Sequence, residues 1–407
     1  MKRRVAAWAV AGVVALLHAL PFPGVAQELG SGVLPFTEVE KRAILGHGPW
    51  PVPFRPDPSN RVSGKREASE LGELLFFDPR LSRTGDVSCA TCHLPERYWT
   101  DNRDRGVALG KVDRNTPHLF NQHLNRWYGW DGAADSLWSQ SIRPIVDPRE
   151  LGASPPHVAG HVRKDPEVAC RYEKAFGKPP SAADDEAVLV DVGKAMAAFQ
   201  EVLTSGRTPF DEFRDALDRG DMQAASRYSL AAQRGLRLFI GKGACNTCHT
   251  GPNFTNGEFA AIGTSHFVEK GRVDPGRHQG IRTLLASRFN LLGPYNDDPA
   301  RATAASTRHV KLEHRHFGEF RVPSLRQSVQ SAPYMHDGQL DSLQAVVQFY
   351  SDLPVERLHA DGEQILKPLK LAKQESQDLL VFLESLTNHR VAQWRARDHH
   401  EWPVCRK

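Results

Sequence analysis

Apolar residues recur along this chain at helical rather than alternating spacing. Between Glu67 and Phe77 they fall at Leu71, Leu74, Leu75 and Phe77, a stripe that Asp78-Pro79 stops. Leu230, Gly235, Leu238 and Phe239 mark a similar helix, broken by Gly241 to Gly243. Glu186 to Leu203 predicts a strong amphipathic helix, with Val188, Leu189, Val192, Met196, Phe199 and Leu203 on one face. Ser376 to Leu386 predicts another, with Leu379, Leu380, Leu383 and Leu386 inward. No long period-two run is present, so the fold is predicted mainly α with much loop. The first two helices share a sequel: a short loop, then the string C-x-x-C-H, beginning at Cys89 and again at Cys245, 156 residues on. Helix, loop and motif repeated in that order predict an internal duplication.

Composition narrows the class. The 407 residues suffice for two domains of ordinary size. A net charge of +4 is small for this length and argues against nucleic acid or a membrane surface as partner. Lys2, Arg3 and Arg4, the apolar run Val5 to Leu20 and the small residues Gly24-Val25-Ala26 read as a signal peptide over 1–26. The run is 16 residues, short of the roughly 20 that cross a bilayer, so the mature chain is expected to lack a membrane span. Residues 27–66 read as an extended arm, 67–220 and 221–390 as two units divided near Gly220, and 391–407 as a tail. Of six cysteines, Cys170 and Cys405 lie outside the motifs; they could pair or stay as two free thiols.

Two cysteines three positions apart add as thioethers to the vinyl groups of one haem, and the adjacent histidine ligates its iron. Cys89, Cys92 and His93 thus predict one haem c, and Cys245, Cys248 and His249 a second. A zinc site would use the four cysteines and leave both histidines as coincidence. A dithiol redox motif belongs to a reducing compartment, which the export signal opposes. The chemistry then depends on the far face of each iron. A strong sixth ligand confines a haem to electron transfer, whereas an open face admits peroxide.

The stretches LGELLFFDPRLSRTGDVSCATCH and FRVPSLRQSVQSAPYMHDGQLDSLQAVVQFY resemble bacterial di-haem cytochrome c peroxidases and the MauG group. The similarity runs from about Leu71 to Leu386. It implies two cytochrome c-like α domains packed face to face. The first haem would be peroxidatic and the second would handle electron transfer. A loop histidine that closes the first haem in the peroxidases aligns with Lys111, in GVALGKVDRNTPHLFN; His118 and His123 lie nearby, out of register. The resemblance therefore implies an open first haem, with His118 or His123 as the alternative ligand. SQSIRPIVDPRELG matches the distal-pocket segment. There Glu150 would move a proton between the peroxide oxygens, while Gln140 and Pro144 supply a polar donor and a wall. On its own sequence context Glu150 would read as a solvated loop charge. Trp130, in GWDG, matches a tryptophan between the two haems, and otherwise reads as core.

The second haem's partner ligand in the peroxidases is a methionine; here Tyr350 falls at that position, as in the MauG group. Tyr350 shares the inward stripe of the helix Asp341 to Tyr350 with Leu343, Val346 and Val347, where periodicity alone reads it as core. Met335 is the rival ligand. A thioether favours the reduced iron, whereas a phenolate favours the oxidised states and suits storage of oxidising equivalents. The resemblance also implies calcium between the domains, held by the Asn115 side chain and the carbonyls of Ser331 and Pro333. His336 and Asp337 would support the second pocket. The cluster His314 to His316 reads as an exposed basic loop rather than a metal site. The expectation is a periplasmic, hydrogen peroxide-using oxidoreductase of the MauG type acting on a protein partner. Its rivals are a peroxidase fed by a small cytochrome or copper protein, and a di-haem electron carrier.

Overall fold

The structure is a computed structural model describing residues 32–264, 267–269, 271–358, 361, 365–389 and 405. The expected signal peptide lies outside the described residues, as does all of the tail except Cys405. The described residues are mainly helical. Helix α1 (Glu38–Leu45) precedes α2 (Arg66–Phe77), α3 (Leu137–Val146), α4 (Pro155–Lys164), α5 (Pro166–Phe176) and α6 (Asp185–Glu201). Then come α7 (Pro209–Asp218), the single turn α8 (Met222–Ala225) and α9 (Leu230–Ile240). The chain continues through α10 (Arg277–Ala286), the turn α11 (Ala305–Arg308), α12 (Leu343–Asp352) and α13 (Lys373–Glu384). Strand structure among the described residues is two short antiparallel pairs: β1 (Phe259–Ala260) with β4 (Phe320–Arg321), and β2 (Phe267–Glu269) with β3 (Arg272–Val273).

The four helices read from apolar spacing are present as α2, α6, α9 and α13, with ends shifted by up to three residues. Their caps explain the ends. Asp184 accepts a hydrogen bond from Ala187 N and starts α6 ahead of its first apolar residue. The expected extended arm differs more: it contains α1, because Thr37 and Glu40 form a capping box that the apolar pattern did not register.

The duplication extends to how the helices pack. In the first half α2 crosses α6, and in the second α9 crosses α13. Each crossing is closed by a glycine. A Cβ on Gly72 would sit 2.0 Å from Ala195 O, and one on Gly235 would sit 2.0 Å from Asp378 O. Phe199 and Phe382 occupy the matching positions beside them, with Cβ atoms 2.9 and 2.8 Å from those points. Gly72→Ala and Gly235→Ala should each cost about 1–3 kcal/mol or more, because backbone atoms cannot step aside. Gly160→Ala, on α4 with nothing within 4 Å, should instead stabilise by up to about 1 kcal/mol. Chemical unfolding followed by far-UV circular dichroism checks all three.

Two main apolar cores result. One gathers α2 to α6, around Leu71, Leu75, Trp138, Val188 and Val192. The other gathers α9, α12 and α13, but also takes Ile44 from α1 and Phe210 and Phe213 from α7. Thus α7, which precedes Gly220, packs into the second core. Helix α6 is buried on nearly every side, and its polar residues are paired. Lys194 Nζ reaches Asp297 at 2.5 Å, and Asp191 accepts from the Tyr172 hydroxyl at 2.6 Å. Cys170 on α5 forms a disulfide with Cys405, so the two cysteines left open by the sequence are joined. Such bonds persist in oxidising compartments.

Candidate haem sites

The same local device builds both motifs. A 3₁₀ turn over Cys89–Thr91 brings His93 N to Cys89 O at 3.0 Å, and one over Cys245–Thr247 brings His249 N to Cys245 O at 2.9 Å. Both cysteines and the histidine of each motif are thereby gathered on one tight turn. The next stretch of chain supplies an acceptor. His93 Nδ1 lies 2.9 Å from Trp99 O, and His249 Nδ1 lies 3.1 Å from Phe254 O. Donation from Nδ1 to a carbonyl leaves Nε2 with its lone pair free for a metal. Burial holds both imidazoles below their ordinary range, His249 at about 4, so each is neutral as a ligand must be. Trp99 and Phe254 both adopt left-handed backbone, with φ of 65° and 50°, which turns their carbonyls back towards the histidines. Neither aromatic residue stood out in the sequence, although each follows its motif by five or six positions.

Burial pushes Cys89 and Cys245 up to about 12 and Cys92 up to about 11. Among the described residues no group of three or more His, Cys, Asp or Glu converges to hold a metal ion. The zinc alternative therefore lacks its site, and so does a metal site at His314 to His316. That cluster is on an exposed 3₁₀ turn, with His314 Nδ1 3.0 Å from Asp361.

The second motif opens on a cavity of about 920 Å³, walled by Cys245, Cys248 and His249 and by Trp130, Met335 and Tyr350. Its other side chains are largely apolar, including Leu343, Val346 and Val347 of α12. Tyr350 therefore faces the cavity along with the stripe in which it was read. Burial, and then the nearby Cys245 and Cys248 thiols, hold its phenol above the ordinary range. Met335 reaches the same cavity from a loop where its φ is 73°.

Two buried arginines face this space. Arg277 lies over the Phe259 ring at 4.0 Å and the Trp127 ring at 4.6 Å, and Arg321 Nε donates to Gly129 O at 3.1 Å. Among the described residues neither forms a salt bridge, and burial lowers both to about 10. At Arg277 the charges of Asp131, Glu258 and Glu319 and donation to Asp131 O and Gly132 O offset only part of the burial, and a buried guanidinium without a directly paired anion is costly. The two propionates of a haem would supply that anion, so the cavity's volume, apolar lining and charge all fit the group. Sequence reading missed both arginines, because a single arginine at the first position of α10 or in the two-residue strand β4 carries no pattern.

At the first motif, Glu150 follows α3 in a turn closed by Glu150 N to Asp147 O at 3.0 Å. Its charge reaches the Cys89 and Cys92 thiols and raises both. Burial first, then Asp147, lift Glu150 to about 7, against Arg143 and Arg149. Gln140 and Pro144 are one turn apart on α3, and Arg143 Nη1 donates to Gln140 Oε1 at 3.1 Å. Lys111 turns outward to Asp104 at 2.8 Å. His118 lines the cavity of the second motif, and burial first, then the Arg321 and His93 charges, lower it to about 4. His123 packs edge-on against Phe54 at 5.8 Å.

The halves meet around Asn115 and Trp130. Trp130 Nε1 donates to Asn115 O at 2.9 Å, Asn115 N donates to His336 O at 2.8 Å, and Arg321 N donates to Trp130 O at 2.8 Å. Arg114 bridges Asp131 and Asp274 across the same seam at 2.7 and 2.8 Å. Asn115, Ser331 and Pro333 line one wall of the cavity. His336 stacks on Phe320 at 3.6 Å, and burial raises Asp337.

Residues 66–219 match the family model described as di-haem cytochrome c peroxidase. The chain is 36% identical over 324 residues to the methylamine utilization protein MauG of Methylorubrum extorquens, covering 79% of this chain and 78% of that protein. The chain belongs to the di-haem cytochrome c peroxidase family. Within that family it is also 31% identical to cytochrome-c peroxidase IdrP1 of a Pseudomonas species, over 83% of this chain and 85% of that one. A MauG-like protein associated with microbial copper homeostasis shares the fold, with a TM-score of 0.63, 24% identity and coverage of 86% and 99%. Family members are haem-dependent oxidoreductases that use hydrogen peroxide, so the electron-carrier alternative gives way to an enzyme. Among the described residues no helix is long and apolar enough to cross a membrane.

Proposed function

We propose that this family member is an exported enzyme of the MauG type, which spends the oxidising power of peroxide on a side chain of a protein partner. The observation that carries the reading is Tyr350, a phenol on the wall that also bears Cys245, Cys248 and His249. When bound, the two haems supply peroxide activation and storage of oxidising equivalents. Four cysteines would attach them, His93 and His249 would each hold an iron, and Tyr350 would be a second protein ligand at the second haem. Arg277 and Arg321 would hold the second haem's carboxylates. Glu150 would accept a proton from peroxide and return it to the departing oxygen, with Gln140 and Pro144 shaping that pocket. Trp130, pinned by Asn115 in the seam, would relay electrons between the halves. Oxygen atoms of Asn115, Ser331 and Pro333 would take a calcium ion there. The Cys170–Cys405 disulfide and the basic-then-apolar N-terminus support export to the periplasm.

The second reading is a cytochrome c peroxidase, favoured by Met335 on the same wall. Optical and EPR spectra before and after one equivalent of peroxide separate the two. On the MauG-type reading the signals of both haems change together, without an organic radical, and a reduced small cytochrome supports little turnover. Sustained turnover with that donor would establish the peroxidase reading instead.

A further inference from the structure

The two histidine-to-carbonyl contacts look alike but are braced differently. In the first half, the Trp99 ring is held at 5.8, 6.4 and 6.0 Å by Phe76, Phe77 and Phe199, all from α2 and α6 of the same half. In the second, Phe239 of α9 and Phe382 of α13 hold the Phe254 ring in the same way, at 6.1 and 6.3 Å, and a residue from the N-terminal arm is added to them. His47, just past α1, stacks on the Phe254 ring at 4.4 Å with planes 9° apart. Its Nδ1 lies 3.1 Å from Gly251 O, in the turn closed by Phe254 N to Gly251 O at 3.0 Å. Phe239 and Phe210 meet the His47 ring edge-on at 5.9 and 6.2 Å, and the side chain is 2% exposed. A second clamp comes from Arg326. It donates to Pro252 O at 2.6 Å, pairs with Asp211 through two bonds of 2.8 and 2.9 Å, and lies 3.8 Å over the Trp50 ring. The turn bearing the acceptor carbonyl is thus also braced by residues from before Gly220, His47 directly and Trp50 and Asp211 through Arg326.

We infer that His47 is a positioning residue for the second haem's axial ligand: by clamping the Gly251–Phe254 turn it sets the hydrogen bond from His249 Nδ1 to Phe254 O. This rests on the reading that His249 holds the second haem. The stronger that bond, the more imidazolate character the ligand has and the more it favours the oxidised iron. Loosening it raises the potential of the second haem and leaves the first unchanged.

The test is spectroelectrochemical titration and EPR of the full-length two-haem protein carrying His47→Ala, His47→Leu or His47→Phe. His47→Ala and His47→Leu should shift the second haem upward by a factor of about three in oxidised-to-reduced ratio. That corresponds to about 28 mV for one electron. Their second-haem g-values should change as well. His47→Phe keeps the stacked ring and should stay close to the wild type. If His47→Ala does not accumulate, the leucine and phenylalanine variants decide between themselves. Equal potentials in those two, no shift in any variant, or an equal shift of both haems overturns the inference. Haem content is counted in each preparation. A wild-type chain with fewer than two covalent haems would refute the underlying reading, whereas two haems with no response to His47 would refute this inference alone.

Discussion

Replacing Tyr350 with methionine should raise the second haem's reduction potential by hundreds of millivolts, within the roughly 0.8 V that axial ligands span. The phenol faces the cavity beside Cys245 and Cys248, and burial and those thiols oppose its ionisation. A phenol so placed does not become an anion unaided. Thioether formation removes the thiols' share, and an iron held by His249 brings the positive charge that a phenolate needs. A thioether in its place stabilises the reduced iron instead. Met335→Leu is the converse test. If Tyr350 is the ligand, that change should leave the potential where it is. If Met335 is the ligand, Tyr350→Met should do little and Met335→Leu should free a coordination position, visible as a high-spin signal. An unmoved potential in Tyr350→Met would remove the main support for the MauG-type reading.

The features legible in the sequence are those with a period or a fixed spacing. Helix α6 follows from its stripe because Val188, Leu189, Val192, Met196, Phe199 and Leu203 all had to be buried, and all are 0–3% exposed. The two motifs are legible because three residues of set type at set spacing serve one porphyrin. The duplication was legible as well, although its tightest element was not. Gly72 and Gly235 look like ordinary helix glycines until α6 and α13 press carbonyls against them. Helix α1 was missed because its stability comes from a capping box, in a segment whose prolines read as extended.

The site divides in the same way. The stripe turned Tyr350 inward but read it as core; its reading as a ligand, like that of Glu150 as an acid–base group, came only through resemblance, since nothing in DPRELG distinguishes a catalytic carboxylate from a solvated one. The supporting groups were invisible. Trp99, Phe254 and His47 act through backbone carbonyls and ring stacking, and Arg277 and Arg321 through desolvated charge. Those roles arise only when segments some 20 to 200 residues apart meet; His47 and Gly251, for example, are 204 apart.

Changing Glu150 to glutamine should slow the reaction with peroxide by about 10²–10⁴-fold, the range for losing a positioned acid–base group. The pH dependence tests the same assignment. Burial and Asp147 bring Glu150 up to about 7, and only the ionised form can take a proton from peroxide. Below that value the carboxyl is mostly neutral, so the second-order rate should rise about tenfold per pH unit. Above it the rate should level. Glu150→Gln removes the titrating group and should flatten the profile at its low level. Neighbours should move the inflection in opposite senses. Arg143 favours the ionised form, so Arg143→Leu should push the inflection to higher pH; Asp147 opposes it, so Asp147→Asn should pull the inflection lower. Stopped-flow mixing with excess peroxide across pH 5 to 9 measures all four proteins. A wild-type profile without an inflection near neutrality, or one that neither neighbour moves, would transfer the proton to some other group.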